Sequence, residues 1–162
     1  MEPGSASKQM RYGIVPPAEA KLISGYEFLK RILEGGYPSP SICKVFQFHL
    51  AEVEPGRVVF AGQPTPDYYN PLGAVHGGYA ATFLDSCMSC AIHSALPVGF
   101  GCTTLEIKVS FIRGMTESTG PITAEGKVIS VGKRVGVAEG RIFDAQNTLY
   151  ALGTTTCLIF PL

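Results

Sequence analysis

A single carboxylate, Asp85, stands in a long run of apolar and small residues between Gly77 and Leu96. A buried carboxylate is costly unless it is hydrogen-bonded, paired or neutralised, and the helix neighbours of Asp85 include no cation. Such a group is a candidate to act on an attacking water. The alternative is a structural aspartate that accepts hydrogen bonds from the nearby hydroxyls of Thr82, Ser86 or Ser89.

The same run begins with two glycines, Gly77 and Gly78. They allow a ligand to approach the first N–H groups of a helix, where the helix dipole adds partial positive charge. Gly77 and Asp85 are about 12 Å apart along a helix that rises ~1.5 Å per residue. A reacting carbonyl needs the donor and the carboxylate each within about 3 Å, so one helix cannot supply both. Two antiparallel copies can, which predicts a composite site in a homodimer.

The elements before this helix are a helix and a hairpin. Apolar spacing predicts a helix from Pro17 to about Leu33, ended by two glycines. Partial alternation predicts a strand over residues 42–53, a turn over 54–57 and a return strand over 58–61. A helix over the run from Gly77 to Leu96 would carry apolar and small residues on every side, which predicts a buried helix.

Four strand-like runs follow without another helix. They cover residues 103–112, 121–130, 134–144 and 148–160. The turns between them are too short for helical crossovers, so the strands should be antiparallel, and we expect a four-strand meander. The layout predicts an α+β fold in which an antiparallel sheet wraps around one long central helix.

Composition limits the possible functions. The 162 residues fit one domain, and 13 basic against 13 acidic residues give no bulk attraction for nucleic acid. No apolar run is long enough for a transmembrane helix, and the first residues lack an apolar signal core. We therefore expect a cytoplasmic protein with no membrane or nucleic-acid partner. Only 16% of the residues are charged and 46% are hydrophobic, which hints at a covered subunit surface.

The five cysteines form no disulfide framework, because their number is odd and they are scattered. Cys87 and Cys90 form a C-x-x-C pair that His76 and His93 flank, so a zinc site is conceivable. No second C-x-x-C or paired histidine motif accompanies it. Small buried thiols that pack the helix are the better interpretation, and we predict no metal and no cofactor.

The order Asn70, His76-Gly77-Gly78, Asp85, followed by four strands, resembles the hotdog-fold acyl-CoA thioesterases. It is similar to their PaaI-like branch, which is named after the phenylacetate pathway. The resemblance covers about residues 42–160. It implies a hotdog fold whose dimers pair into homotetramers. Residues 1–40 would be an N-terminal extension with one helix, and residues 41–162 the thioesterase domain.

The resemblance also implies roles for five residues. The Gly77 N–H would be the oxyanion donor to the thioester carbonyl, and Asp85 would activate water or attack as a nucleophile. Asn70 and His76 would shape the other side of the site. Thr104 would supply a strand hydroxyl at a position where many members have serine.

Thioester chemistry suits so small a set of groups. A thioester carbonyl is already electrophilic, and a thiolate leaves without strong acid help because thiol pKa values are about 8–9. No Ser-His-Asp triad is then needed, and the chain has no G-x-S-x-G motif. The expected substrate is an aryl-acyl-CoA or a medium-chain acyl-CoA. A non-hydrolytic acyl-CoA or acyl-carrier binding protein, or a dehydratase, on the same fold is the alternative.

Further residues are candidates for holding the substrate. Gly78, Met88 and Ser89 would lie beside the reacting groups. Three basic residues could contact the phosphates of coenzyme A, namely Arg113, Lys133 and Arg134. For the last two, an ordinary solvated hairpin tip is an equal alternative.

Overall fold

A computed structural model describes residues 10–162 of the chain. The first nine residues of the predicted N-terminal extension lie outside the described residues. The helices are α1 (Pro17–Ala20), α2 (Gly25–Leu33), α3 (Ser41–Phe46) and α4 (Gly77–Ser94). The strands are β1 (Phe48–Glu54), β2 (Arg57–Gly62), β3 (Phe100–Phe111), β4 (Ile122–Val131), β5 (Val135–Asp144) and β6 (Leu149–Pro161).

All six strands form one antiparallel sheet in the order β1-β2-β4-β5-β6-β3. The predicted antiparallel pairing is confirmed, but the four-strand meander is wrong. β3 does not pair with β4; it pairs with β6, from Phe100 opposite Pro161 to Phe111 opposite Ala151. The connection over residues 112–121 is long enough to return the chain to β2, where β4 adds to the sheet. β3 is therefore an edge strand.

The sheet approaches α4 closely because glycines face the helix. A Cβ atom on Gly126 would overlap the backbone carbonyl of Cys87, and one on Gly140 would lie 2.7 Å from Met88 Cγ. Phe83 and Leu84 of α4 have no exposed surface. These contacts make α4 and the concave face of the sheet the centre of the hydrophobic core.

The prediction that α4 is buried on every side is wrong. Gly78 is exposed, and Thr82, Asp85 and Ser89 are only half-buried. These residues recur at spacings of three to four and so share one face of the helix. That face carries the small and polar side chains of α4, and it is the face that holds the carboxylate.

Gly126→Ala is expected to destabilise the fold by about 1–3 kcal/mol, the usual cost of overpacking a core. The added methyl meets helix backbone at Cys87, and backbone cannot turn aside as a side chain can. Urea denaturation of both proteins measures the difference. Gly114→Ala is the matched control, since its Cβ would have no atom within 4 Å. Equal stability of the two variants would show that the helix is not held this closely.

The N-terminal part differs from the expected single helix and strand. The predicted helix is interrupted between α1 and α2. Ser24 accepts a hydrogen bond from the Glu27 N–H at 3.2 Å and caps α2. Residues 42–46 belong to α3 and not to the strand that partial alternation predicts. Ile42 and Val45 have helical spacing, and Gln47 ends the helix in the left-handed region with φ 50°. Across residues 10–162, no helix combines the length and apolar character needed to cross a membrane.

Candidate active site

Asp85 and Thr104 are in direct contact. The Thr104 hydroxyl on the edge strand β3 donates a hydrogen bond to Asp85 Oδ1 at 2.8 Å. Thr104 is half-buried like Asp85. The carboxylate is therefore held in one orientation while part of its surface stays accessible from the open face of α4.

The hydroxyls that could have made Asp85 a structural residue are used elsewhere. Thr82 donates to the Gly78 carbonyl oxygen at 2.9 Å, and Ser86 donates to the Thr82 carbonyl oxygen at 2.9 Å. Ser89 donates to the Asp85 backbone oxygen at 2.6 Å, not to its carboxylate. Short hydroxyl side chains in a helix commonly bond back to the preceding turn. The partner of the carboxylate comes from a strand instead.

The N-terminal end of α4 presents a free backbone donor. His76 is the N-cap residue, and its Nδ1 accepts a hydrogen bond from the Gly78 N–H at 2.8 Å. Because Nδ1 accepts, a neutral His76 carries its proton on Nε2. Among residues 10–162, no group accepts a hydrogen bond from the Gly77 N–H. This N–H can therefore donate to a ligand at the positive end of the helix dipole.

Asn70 builds the loop that leads into this helix. Its Oδ1 accepts from the Leu72 N–H at 2.9 Å and from the Ala74 N–H at 3.3 Å. Its own N–H donates to the Ala74 carbonyl oxygen at 2.7 Å. These bonds fold residues 70–74 into a tight turn, so Asn70 and His76 lie on the same side of the helix start.

A cavity of about 450 Å³ opens at this end of the helix. Asn70, His76 and Gly77 line it together with Phe111 and Arg113. A Cβ atom on Gly77 would lie 3.0 Å from the edge of the Phe111 ring. Phe111 was not anticipated from sequence, and its only signal was its place at the end of β3. The structure thus brings Arg113 to the same place as the free N–H donor.

Other predicted residues do not join this group. Met88 is fully buried under the sheet, against Gly140, and does not line the accessible face beside Asp85. Lys133 and Arg134 are exposed at the turn between β4 and β5. Arg134 bonds to Ile159 of β6, whereas Arg113 bonds to Tyr150 of the same strand. These two positions are nine residues apart, so the turn lies about 30 Å from Arg113 along the strand. Within one chain, the three predicted cations therefore form no single phosphate site.

The C-x-x-C pair is part of the core. The Cys87 thiol donates to the Leu84 carbonyl oxygen at 3.2 Å, and burial raises the pKa of Cys87 well above its ordinary value. Burial also raises the pKa of Cys90 and lowers the pKa of His93. The part of the chain that the structure describes contains no group of three or more His, Cys, Asp or Glu side chains suited to a metal ion.

Two further cysteines, which the sequence interpretation did not assign to the site, lie beside Asp85 and Thr104. Cys157 Sγ is 3.8 Å from the Thr104 hydroxyl oxygen. The Cys102 thiol donates to the Ser89 carbonyl oxygen at 3.7 Å. Cys102 precedes Thr104 by two residues, so both side chains lie on the same face of β3. This spacing is the sequence signal that could have placed Cys102 near the site.

Comparisons with known proteins agree with this architecture. Residues 72–151 match the family model described as the thioesterase superfamily. The chain is 36% identical over 96 residues to an inferred esterase of Halobacterium salinarum, a match that covers 54% of this chain and 62% of that protein. It is 34% identical over 88 residues to an inferred esterase of Saccharolobus solfataricus, covering 54% and 57%. The chain thus spans less than two thirds of the length of these curated relatives.

Solved structures extend the similarity over more of the chain. An inferred thioesterase from Ralstonia eutropha, described as related to phenylacetic acid degradation, has a TM-score of 0.73 at 25% identity and covers 81% of this chain and 98% of its own. The PaaI protein of E. coli, from the phenylacetic acid degradation operon, has a TM-score of 0.72 at 20% identity, covering 84% and 93%.

A third structure, from Streptococcus mutans and bound to acetyl CoA, has a TM-score of 0.64 at 21% identity, covering 70% and 89%. At such identities the last two structures show a shared fold. The antiparallel sheet wrapped around α4 is the hotdog architecture that the sequence indicated. With its hotdog fold and its match over residues 72–151, the chain belongs to the thioesterase superfamily.

Proposed function

We propose that this protein is an acyl-CoA thioesterase that hydrolyses a thioester to a free acid and coenzyme A. The observation that carries the proposal is the Asp85 carboxylate, which the Thr104 hydroxyl orients on the half-open face of α4. The superfamily membership and the acetyl CoA bound to one structural relative support the substrate class. Aryl-acyl and medium-chain acyl groups are the proposed range.

The proposed site combines two subunits. Gly77 and Asp85 are eight residues apart in α4, about 12 Å along the axis, so one helix does not place both at one carbonyl. β3 is an edge strand, and an exposed edge is a template for pairing with another strand. Leu105 and Phe111 on β3 are 60% and 58% exposed, which supports a covered surface. Pairing of β3 with its copy would lay two α4 helices side by side and antiparallel.

The proposed chemistry needs few groups. Asp85 accepts a proton from a water, whose oxygen attacks the thioester carbonyl carbon. The Gly77 N–H of the partner subunit donates to the carbonyl oxygen as negative charge develops there. The tetrahedral intermediate collapses, the C–S bond breaks, and the coenzyme A thiolate leaves. Attack by the carboxylate itself, followed by hydrolysis of the anhydride, is the other course that Asp85 allows.

Coenzyme A would enter from the cavity at the start of α4. Arg113 lines that cavity and is exposed, so it can contact a phosphate. Lys133 and Arg134 lie far from Arg113 within one chain. They would reach a phosphate only at a site that is completed by the other subunit. Dimers that pair into a tetramer remain the proposed assembly.

The test is hydrolysis of a panel of acyl-CoA thioesters that includes acetyl, hexanoyl, decanoyl, benzoyl and phenylacetyl groups. Mass spectrometry should detect the free acid and coenzyme A, because the five cysteines of the protein would also react with a thiol reagent. Cleavage of at least one member supports the proposal. Calorimetric binding without cleavage would instead indicate an acyl-CoA binding protein, and loss of water from a 3-hydroxyacyl-CoA would indicate a dehydratase.

A further inference from the structure

Cys157 is a buried thiol that the hydrolysis scheme does not use. It lies in β6 directly opposite Thr104 in the register with β3, and it has no exposed surface. Its sulfur is 3.8 Å from the Thr104 hydroxyl oxygen. On its other side, in β5, the facing residue is Gly136, which has no side chain, so the other side-chain neighbour of the sulfur is the Cys102 thiol.

The direction of this contact follows from counting protons. A hydroxyl has one proton, and an ionised carboxylate can only accept. Thr104 gives its proton to Asp85 Oδ1 at 2.8 Å. Toward Cys157 the Thr104 oxygen can then only accept, so the thiol is the donor. The three side chains form a chain of hydrogen bonds in which Cys157 donates to Thr104 and Thr104 donates to Asp85.

We propose that Cys157 is a positioning residue whose thiol keeps the Thr104 hydroxyl directed at the Asp85 carboxylate. The inference rests on the proposed hydrolytic function of Asp85. Without a donor at position 157, the Thr104 hydroxyl can rotate about its C–O bond and lose its single preferred direction. The carboxylate then loses a fixed partner and samples orientations that do not suit attack.

The test is a double-mutant cycle on Cys157 and Thr104. Cys157→Ala should lower kcat by about 2- to 10-fold, the size expected from one hydrogen bond, with little change in KM. Cys157→Ser keeps a donor and should retain most of the rate. In the Thr104→Val background, Cys157→Ala should have less than about a twofold effect, because residues acting through one contact are not additive.

The assay pH and a control variant distinguish a positioning role of Cys157 from a packing role. The neighbouring Cys102 thiol lowers the pKa of Cys157 to about 7, so the assay belongs about one unit below that, where the Cys157 thiol keeps its proton. Cys43 is 2% exposed and belongs to α3, which contributes no residue to the proposed site. Cys43→Ala should lower the melting temperature about as much as Cys157→Ala but leave kcat unchanged.

The inference is overturned if Cys157→Ala reduces kcat equally in both Thr104 backgrounds, or if the serine variant is no better than the alanine variant. Failure of the proposed function looks different, since wild-type protein would then cleave no acyl-CoA or Asp85→Asn would stay active. A crystal structure of Cys157→Ala gives a readout without activity. Loss of the Thr104–Asp85 contact supports the inference, and an unchanged 2.8 Å distance contradicts it.

Discussion

Asp85→Asn is expected to lower kcat for thioester hydrolysis by about 10²–10⁴-fold, the usual contribution of a positioned general base. Asparagine has nearly the same shape, and its Oδ1 can still accept the hydrogen bond from Thr104. The substitution therefore removes the negative charge while it preserves the local packing. A half-buried position on the open face of α4 should tolerate it without unfolding.

The measurement is kcat on the best acyl-CoA of the panel, with circular dichroism to confirm the fold. Glu139→Gln makes the same chemical change on β5, on the face of the sheet opposite to Gly140, which packs against α4, and should keep full activity. An Asp85→Asn variant with near wild-type kcat would remove Asp85 from the reaction. Activity lost in both variants would point to a general effect of charge.

Gly77→Val is expected to lower kcat by about 10²–10³-fold, the cost of losing one oxyanion donor. The new Cβ would lie 3.0 Å from the Phe111 ring, and the two methyl groups would crowd the start of α4 where Gly77 lines the cavity. The backbone itself accepts a side chain, because Gly77 does not adopt a positive φ. The loss should therefore come from blocked access and not from strain.

Steady-state kinetics measure this loss, and a melting curve shows whether the fold survives. Gly13→Val is the matched control, since its Cβ would meet nothing closer than Pro38 at 3.7 Å. A Gly77→Val variant that is folded and fully active would place the oxyanion donor elsewhere. A raised KM with an unchanged kcat would show that Gly77 contributes to binding only.

Local patterns predicted the central helix and the residues that mark its ends. Two glycines after His76 and the Pro97 beyond the last turn bracket α4, and its composition required a sheet around it. Thr104 and Asp85, both named from the family resemblance, are joined by a hydrogen bond. These features depend on neighbours in the chain or on a recognisable motif.

The pairing of β3 could not be read in the same way. The turn after β3 gives no sign that the chain crosses the sheet to reach β2, because strand order is decided by contacts between residues far apart in sequence. The six residues of α3 are too few to distinguish helical spacing from partial alternation, so the pattern predicts a strand there. Helix position alone does not show which side chains the sheet covers, so it does not reveal that Met88 is fully buried.

The composite site has one direct test, which is to mix Asp85→Asn subunits with Gly77→Val subunits. If each site takes Asp85 from one chain and Gly77 from the other, every hybrid dimer holds one intact site and one doubly defective site. Random pairing makes half of the dimers hybrids, so the mixture should recover about a quarter of wild-type kcat. Co-expression with two affinity tags allows the hybrid to be isolated, and its activity should be about half that of wild type. If both residues served a carbonyl within one subunit, the hybrid would contain no intact site, and activity no higher than that of the two variants alone would contradict the account.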